Sequence, residues 1–74
     1  MPIINIKTPK GALTKELKAE IHKRIAQVMI ETEGRGNPEF AKYVTTIIEE
    51  QDPESYGAGG QMVTEELVKA MISS

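Results

Sequence analysis

The spacing of apolar residues along this chain changes from the period of a strand to that of a helix and back again. Residues 3–8 read IINIKT, and Ile4 and Ile6 share one face of an extended chain, which predicts a β-strand. Pro9 then interrupts the pattern. Residues 42–49, KYVTTIIE, are β-branched and aromatic, so they predict a second strand.

A helix is predicted between the two strands. Thr14 is a favoured N-cap residue, and the apolar residues that follow it recur at helical spacing. These residues are Leu17, Ile21, Ile25, Val28 and Met29. Gly34 suits the C′ position, where a positive φ is common, so the helix spans about five turns. Asn37-Pro38 predicts one short helical turn beyond it.

The order strand, helix, strand is that of a βαβ unit, with parallel strands and a right-handed crossover. After a turn at Asp52-Pro53, the glycines of residues 57–60 predict a hairpin arm with unusual backbone bends. Thr64 is the predicted N-cap of a short C-terminal helix whose apolar edge contains Leu67, Val68 and Met71. We therefore expect residues 1–74 to form one domain of mixed α/β (α+β) class.

The length of the chain makes self-association an expectation. A domain of 74 residues buries a limited core and usually needs disulfides, metals or partner subunits. The sequence has no cysteine and one histidine, His22, which excludes disulfides and a multi-histidine metal site within one chain. Oligomerisation is the remaining source of stability.

Charge and hydropathy limit the kinds of partner and the cellular compartment that the sequence predicts. The net charge is −2 with both signs interspersed, so there is no basic surface of the kind that binds nucleic acid. No apolar run reaches 18 residues, and the N-terminus lacks the pattern of a signal peptide. We expect a cytoplasmic protein without a membrane span.

Pro2 carries the most distinctive candidate chemistry. Methionine aminopeptidase removes Met1 when the next side chain is small, and the chain would then begin with a secondary amine. An α-amino group ordinarily titrates near 7.7–8.0, and burial or nearby cations lower that pKa. Such an amine can serve as a general base, or as a general acid when protonated. The alternative is that Pro2 only begins a strand behind a retained methionine.

The order of motifs resembles the tautomerase superfamily, whose archetype is 4-oxalocrotonate tautomerase. The resemblance covers nearly the whole chain, with an extension from about Thr64. The motifs that carry it are the N-terminal Met1-Pro2-Ile3, Gly11 after the first strand, one long helix, a strand ending at Glu49-Glu50, and the arm Tyr56-Gly57-Ala58-Gly59-Gly60.

The resemblance implies a β-α-β subunit that associates as dimers, or as hexamers built from three dimers. It implies that Pro2 is the catalytic base or acid and that Tyr56 forms an apolar wall beside the proline amine. It also implies an isomerase that uses no cofactor or metal and interconverts enol and keto forms of a small 2-oxo acid, such as a 2-hydroxy-dienoate. The partner would then be a small carboxylate.

The sequence departs from the family at two substrate-binding arginines, whose positions are held here by Ala12 and Thr45. Thr45 is itself a candidate substrate-binding residue. Three other cations are candidates to replace the arginines: Arg35, Lys10 and Lys42. Arg35 is favoured because its planar guanidinium suits a carboxylate and it lies in a glycine-flanked loop. The alternative for each cation is a solvated surface charge.

Several residues have simpler expected roles. We expect His22 to lie on the surface, Glu49 and Glu50 to end their strand in solvent, and the glycine arm to reach a neighbouring subunit's pocket. Two other functions stay open: hydration or dehalogenation of an unsaturated acid by the same proline, and a low-activity structural subunit, which the missing arginines favour.

Overall fold

The computed structural model describes residues 1–73 and confirms the predicted mixed α+β class. The elements in chain order are β1 (Ile3–Pro9), α1 (Lys15–Glu31), a 3₁₀ helix (Pro38–Tyr43), β2 (Thr45–Gln51), a 3₁₀ turn (Pro53–Ser55), β3 (Gly57–Ala58), β4 (Gln61–Met62) and α2 (Glu65–Ser73). β1 and β2 are parallel, and β3 and β4 form the predicted antiparallel hairpin.

The parallel sheet has two different faces. Ile3 lies opposite Thr45 and Asn5 opposite Ile47, and these residues form the open face, which α1 does not cover. The alternate residues face α1. Asn5 Nδ2 donates to Glu49 Oε1 across the open face at 2.9 Å, so Glu49 ties the two strands together.

The predicted second strand began too early. β2 starts at Thr45, and Lys42 and Tyr43 belong to the 3₁₀ helix. The Asn37 side chain accepts a hydrogen bond from the Glu39 amide at 3.0 Å, and Pro38 occupies the first helical position. This cap starts a helical stretch of six residues where one turn was expected.

The end of α1 also differs from the prediction. α1 ends at Glu31, and the left-handed residues after it are Arg35, with φ of 51°, and Gly36, with φ of 85°. Gly34 is not among them. A Cβ at position 34 would lie 2.7 Å from Phe40 Cβ and 2.8 Å from the Ile30 carbonyl oxygen, so glycine is required there by close packing.

Two polar pairs join α1 to the inner face of β2. Lys18 forms an ion pair with Glu50, whose side chain is only 24% exposed. One helical turn later, a hydrogen bond of 2.5 Å joins His22 Nδ1 and Thr46 Oγ1. The expectations of a surface His22 and a solvated Glu50 were therefore wrong, because both side chains lie between helix and sheet.

A single copy of the chain buries little. Among residues 1–72, whose side-chain exposure is described, only Val68 is buried. Large apolar side chains on the open face of the sheet and on α1 and α2 remain exposed; they include Ile3, Leu17, Val28, Ile47, Leu67, Met71 and Ile72. Exposed apolar surface of this extent is typical of a subunit that packs against other molecules.

Candidate active site

Two of the predicted site residues lie together at the N-terminal end of the sheet. Pro2 is half-buried immediately before β1, and its carbonyl oxygen accepts a hydrogen bond of 3.0 Å from the Thr45 amide. This bond extends the β1–β2 ladder by one residue and fixes the backbone of Pro2. Thr45 is exposed on the open face beside Ile3.

Arg35 lies at the same end of the domain, because α1 runs from the end of β1 back to the start of β2. Its amide donates to the Thr32 carbonyl at 3.0 Å, and the next amide, of Gly36, donates to Ile30 at 2.7 Å. These bonds hold Arg35 in the left-handed region with an exposed side chain. The loop therefore has a fixed backbone and presents a cation to solvent.

Lys10 and Tyr56 lie at the opposite end of the sheet, whereas Lys42 precedes β2 in the 3₁₀ helix. Lys10 follows β1, and its amide donates to the Gln51 carbonyl at 2.8 Å, while its Nζ lies 3.6 Å from Asp52 Oδ1. Tyr56 precedes the hairpin, and its carbonyl accepts from the Val63 amide at 2.9 Å. A strand of seven residues, roughly 23 Å at ~3.3 Å per residue, separates this end from Pro2.

A cavity of about 450 Å³ lies at this second end, between β1, the hairpin and α2. Tyr56 and Ala12 line it on one side, and Leu67, Met71 and Ile72 of α2 line it on the other. Thr8 and Tyr56 carry the side-chain hydroxyl groups of the lining, and no Asp, Glu, Lys or Arg side chain of the described residues contributes to it. The cavity is therefore apolar and uncharged.

The hydroxyl group of Tyr56 is buried, and it has no hydrogen-bond partner within the described part of the chain. A buried hydroxyl without a partner carries a desolvation penalty of about 1–3 kcal/mol. The ring of Tyr56 thus contributes to the cavity as an apolar surface, while its hydroxyl lowers the stability of the fold.

We expect Tyr56→Phe to raise the free energy of unfolding by about 1 kcal/mol, because it removes the unpaired hydroxyl and keeps the ring. Urea unfolding at a fixed protein concentration measures the change. Tyr43→Phe is the matched control, since Tyr43 is 43% exposed and its hydroxyl is not among the buried unpaired groups. A Tyr56→Phe protein less stable than wild type would show that the hydroxyl has a partner in the assembly.

The contribution of α2 to the cavity was not predicted from the sequence. The spacing of Leu67, Val68 and Met71 indicated an apolar edge, but not what it packs against. In the structure Val68 is buried, at 4% exposure, and Leu67, Val68 and Met71 all line the cavity.

Residues 1–73 contain neither a metal-binding group of side chains nor a helix able to span a membrane. No three His, Cys, Asp or Glu side chains come together in a group that holds a metal ion. Within the same residues, neither helix has the length and apolar character needed to cross a bilayer.

Comparison with known proteins places the chain among tautomerases. The sequence model of the Tautomerase family, described as tautomerase enzyme, matches residues 2–66. A probable tautomerase of Dickeya dadantii is 34% identical over 65 residues, which cover 88% of this chain and 91% of the relative.

Two crystal structures share the fold over almost the full length of the chain. DmpI from Helicobacter pylori has a TM-score of 0.69 and 27% identity, covering 99% of this chain and 98% of its own. TomN, a 4-oxalocrotonate tautomerase homologue of the tomaymycin biosynthetic pathway, has a TM-score of 0.70 and 25% identity, covering 99% and 97%. In both comparisons the match extends to the part of this chain that forms α2.

Proposed function

Because the chain belongs to the tautomerase family, we propose that it is an isomerase that interconverts the enol and keto forms of a small 2-oxo acid, with Pro2 as the proton-transferring group. The observation that supports this most is the position of Pro2. It lies immediately before β1, is held to β2 through the Thr45 amide, and is the first residue of the family match.

The chemistry requires that Met1 is removed, so that the Pro2 nitrogen becomes a secondary amine. The unprotonated amine takes the proton from the enol hydroxyl, and the oxygen's electron pair forms the carbonyl. The electrons of the carbon–carbon double bond then bind a proton from the protonated amine. No atom is gained or lost, and Pro2 returns to its starting state.

We propose that a complete site needs two copies of the chain. Pro2 and Tyr56 lie at opposite ends of one sheet, so Tyr56 of the same chain cannot shield the Pro2 amine. A second copy placed antiparallel to the first would bring its Tyr56 end to the first copy's Pro2. The exposed apolar face that contains Ile3 and Ile47 supports association as a dimer or hexamer.

Ile47→Lys is expected to weaken self-association by at least about tenfold, because it buries a charge in an apolar contact. Sedimentation velocity across a concentration series measures the shift toward monomer. Ala19→Lys is the matched control, since Ala19 is exposed on α1 and away from the open face of the sheet. An unchanged oligomer for Ile47→Lys would remove this face from the interface.

We propose that Arg35 binds the substrate carboxylate in place of the missing family arginines, since it lies at the Pro2 end and its guanidinium offers paired donors. Thr45, beside Pro2, supplies a neutral hydrogen-bonding group. Lys10 already lies near Asp52 and Lys42 near Glu39, at 3.6 Å in both pairs, which makes them weaker candidates.

Loss of the Arg35 guanidinium is expected to lower kcat/KM for a carboxylate substrate by about tenfold, the effect of one lost charge-assisted hydrogen bond. Arg35→Ala and Arg35→Lys are compared in the same assay, with Lys15→Ala as a control at an exposed position of α1. Equal activity of Arg35→Ala and wild type would exclude Arg35 from substrate binding.

The proposed function is tested by following phenylenolpyruvate to its keto form by ultraviolet absorbance. We expect a protein-dependent rate that is first order in protein. A second substrate, 3-chloroacrylate, distinguishes the two alternative functions, a dehalogenase and a structural subunit. Chloride release from 3-chloroacrylate without tautomerisation would indicate a dehalogenase, and inactivity toward both compounds would indicate a structural subunit.

A further inference from the structure

We propose that the cavity beneath α2 binds the side group of the substrate, and that it selects a 2-oxo or 2-hydroxy acid with an uncharged aryl or alkyl body over a dicarboxylate. This inference rests on the proposed function, because it assigns a substrate class to the same site. It concerns α2, which lies largely beyond the family match at residues 2–66.

The cavity has the properties of a small-molecule site. Its volume of about 450 Å³ lies within the usual range of ligand pockets, which are concave and mostly apolar. It is lined by Tyr56 and Ala12, which the family resemblance places at the aromatic wall and at the position of a substrate-binding arginine. The cavity is therefore a part of the candidate active site.

The absence of charge in the lining sets the class of ligand. A second carboxylate placed in the cavity would lose its hydration without meeting a cation, which is strongly unfavourable. Ala12 contributes only a methyl group to the lining. The nearby Lys10 does not line the cavity, and its ammonium group lies 3.6 Å from Asp52.

α2 supplies the apolar surface that a ligand body would cover. Leu67, Met71 and Ile72 are 45%, 65% and 52% exposed, and all three line the cavity. Burial of a phenyl or alkyl group against such side chains is favourable in proportion to the area removed from water. The helix thus provides binding energy for an uncharged body.

A second groove, along α1, is a weaker candidate for the same ligand. It is about 400 Å³ and is bordered by the ion pair of Arg24 and Glu20. It contains none of the predicted site residues, whereas the cavity beneath α2 contains Tyr56. We therefore assign the uncharged body to the α2 cavity.

Two unreactive acids of similar length test the assignment by isothermal titration calorimetry: 3-phenylpropionate, with an uncharged body, and adipate, a dicarboxylate. We expect wild-type protein to bind 3-phenylpropionate at least about tenfold more tightly than adipate. Leu67→Arg places a cation in the lining and is expected to reverse or abolish this preference. Ala70→Arg is the matched control, because it adds the same charge to α2 at an exposed residue outside the cavity.

The outcomes separate this inference from the proposed function, since binding is measured without turnover. Equal binding of the two acids, or tighter binding of adipate, would overturn the inference even if phenylenolpyruvate is converted. Selective binding without Pro2-dependent conversion would support the cavity assignment and refute the proposed reaction. If neither acid binds to an intact oligomer, the cavity is occupied by a second copy of the chain and the inference fails.

Discussion

Replacing Pro2 by alanine is expected to lower kcat/KM for enol-to-keto conversion by about 10²- to 10⁴-fold, the contribution of a positioned general acid or base. Alanine leaves an amine at the terminus but removes the ring that fixes it. The nitrogen of a terminal proline is held by the pyrrolidine ring and by the bond between its carbonyl and Thr45. The amine of a terminal alanine rotates freely, so it is no longer held in one orientation toward the substrate.

The control for this change is Pro38→Ala, the same substitution at an exposed proline that has no free amine. We expect Pro38→Ala to keep the activity of wild type. Both variants are assayed at matched oligomeric state, because the proposed site needs two copies. Equal activity of Pro2→Ala and wild type would leave no role for the proline amine.

Gly34→Ala is expected to destabilise the protein by about 1–3 kcal/mol, the usual cost of inserting a methyl group into a packed site. The new Cβ would lie 2.7 Å from both Cβ and Cγ of Phe40 and 2.8 Å from the carbonyl oxygen of Ile30. Neither the Phe40 Cβ nor the Ile30 carbonyl lies at the flexible end of a side chain. The backbone between α1 and the 3₁₀ helix must therefore move.

A double-mutant cycle shows whether the Phe40 contact is the cause. Urea unfolding of Gly34→Ala is compared with and without Phe40→Ala, at one protein concentration. We expect a smaller loss in the Phe40→Ala background, because the ring carbon Cγ is removed, with part of the cost retained because the Cβ of residue 40 and the Ile30 carbonyl remain close. An identical loss in both backgrounds would show that the ring of Phe40 does not cause the clash.

The sequence predicted those elements whose signals are local. Alternating isoleucines define β1, the spacing that includes Ile21 and Ile25 defines α1, and the clustered glycines define the hairpin. In each case the pattern lies within the element itself. The parallel βαβ arrangement follows because such a crossover has few alternatives.

The errors concern boundaries and contacts that depend on distant residues. The β-branched run beginning near Lys42 did not reveal that the Asn37 cap continues a helical stretch through Tyr43. A glycine at position 34 fits either a positive φ or a close contact, and the sequence does not distinguish these two reasons. Only the position of Phe40 in the fold does. The burial of His22 depends on the alignment of α1 against β2, which no local pattern encodes.

The sequence named candidate site residues, whose roles stay predictions, but it did not show how the fold brings them together. The N-terminal proline was found from two residues, Met1 and Pro2, and its neighbour Thr45 from a count along the second strand. The cavity was not found, because Ala12, Tyr56 and Leu67 are brought together by three separate segments. The role of α2 in the site thus becomes visible only from the fold.

The intact mass of the active protein, measured by electrospray ionisation, shows whether Pro2 can carry the reacting amine, because only a chain that begins at Pro2 has a secondary amine at its terminus. We expect a mass that lacks Met1 and carries no modification of the terminal nitrogen. A fully active protein whose mass still includes Met1, or an acyl group on Pro2, would contradict this role of Pro2.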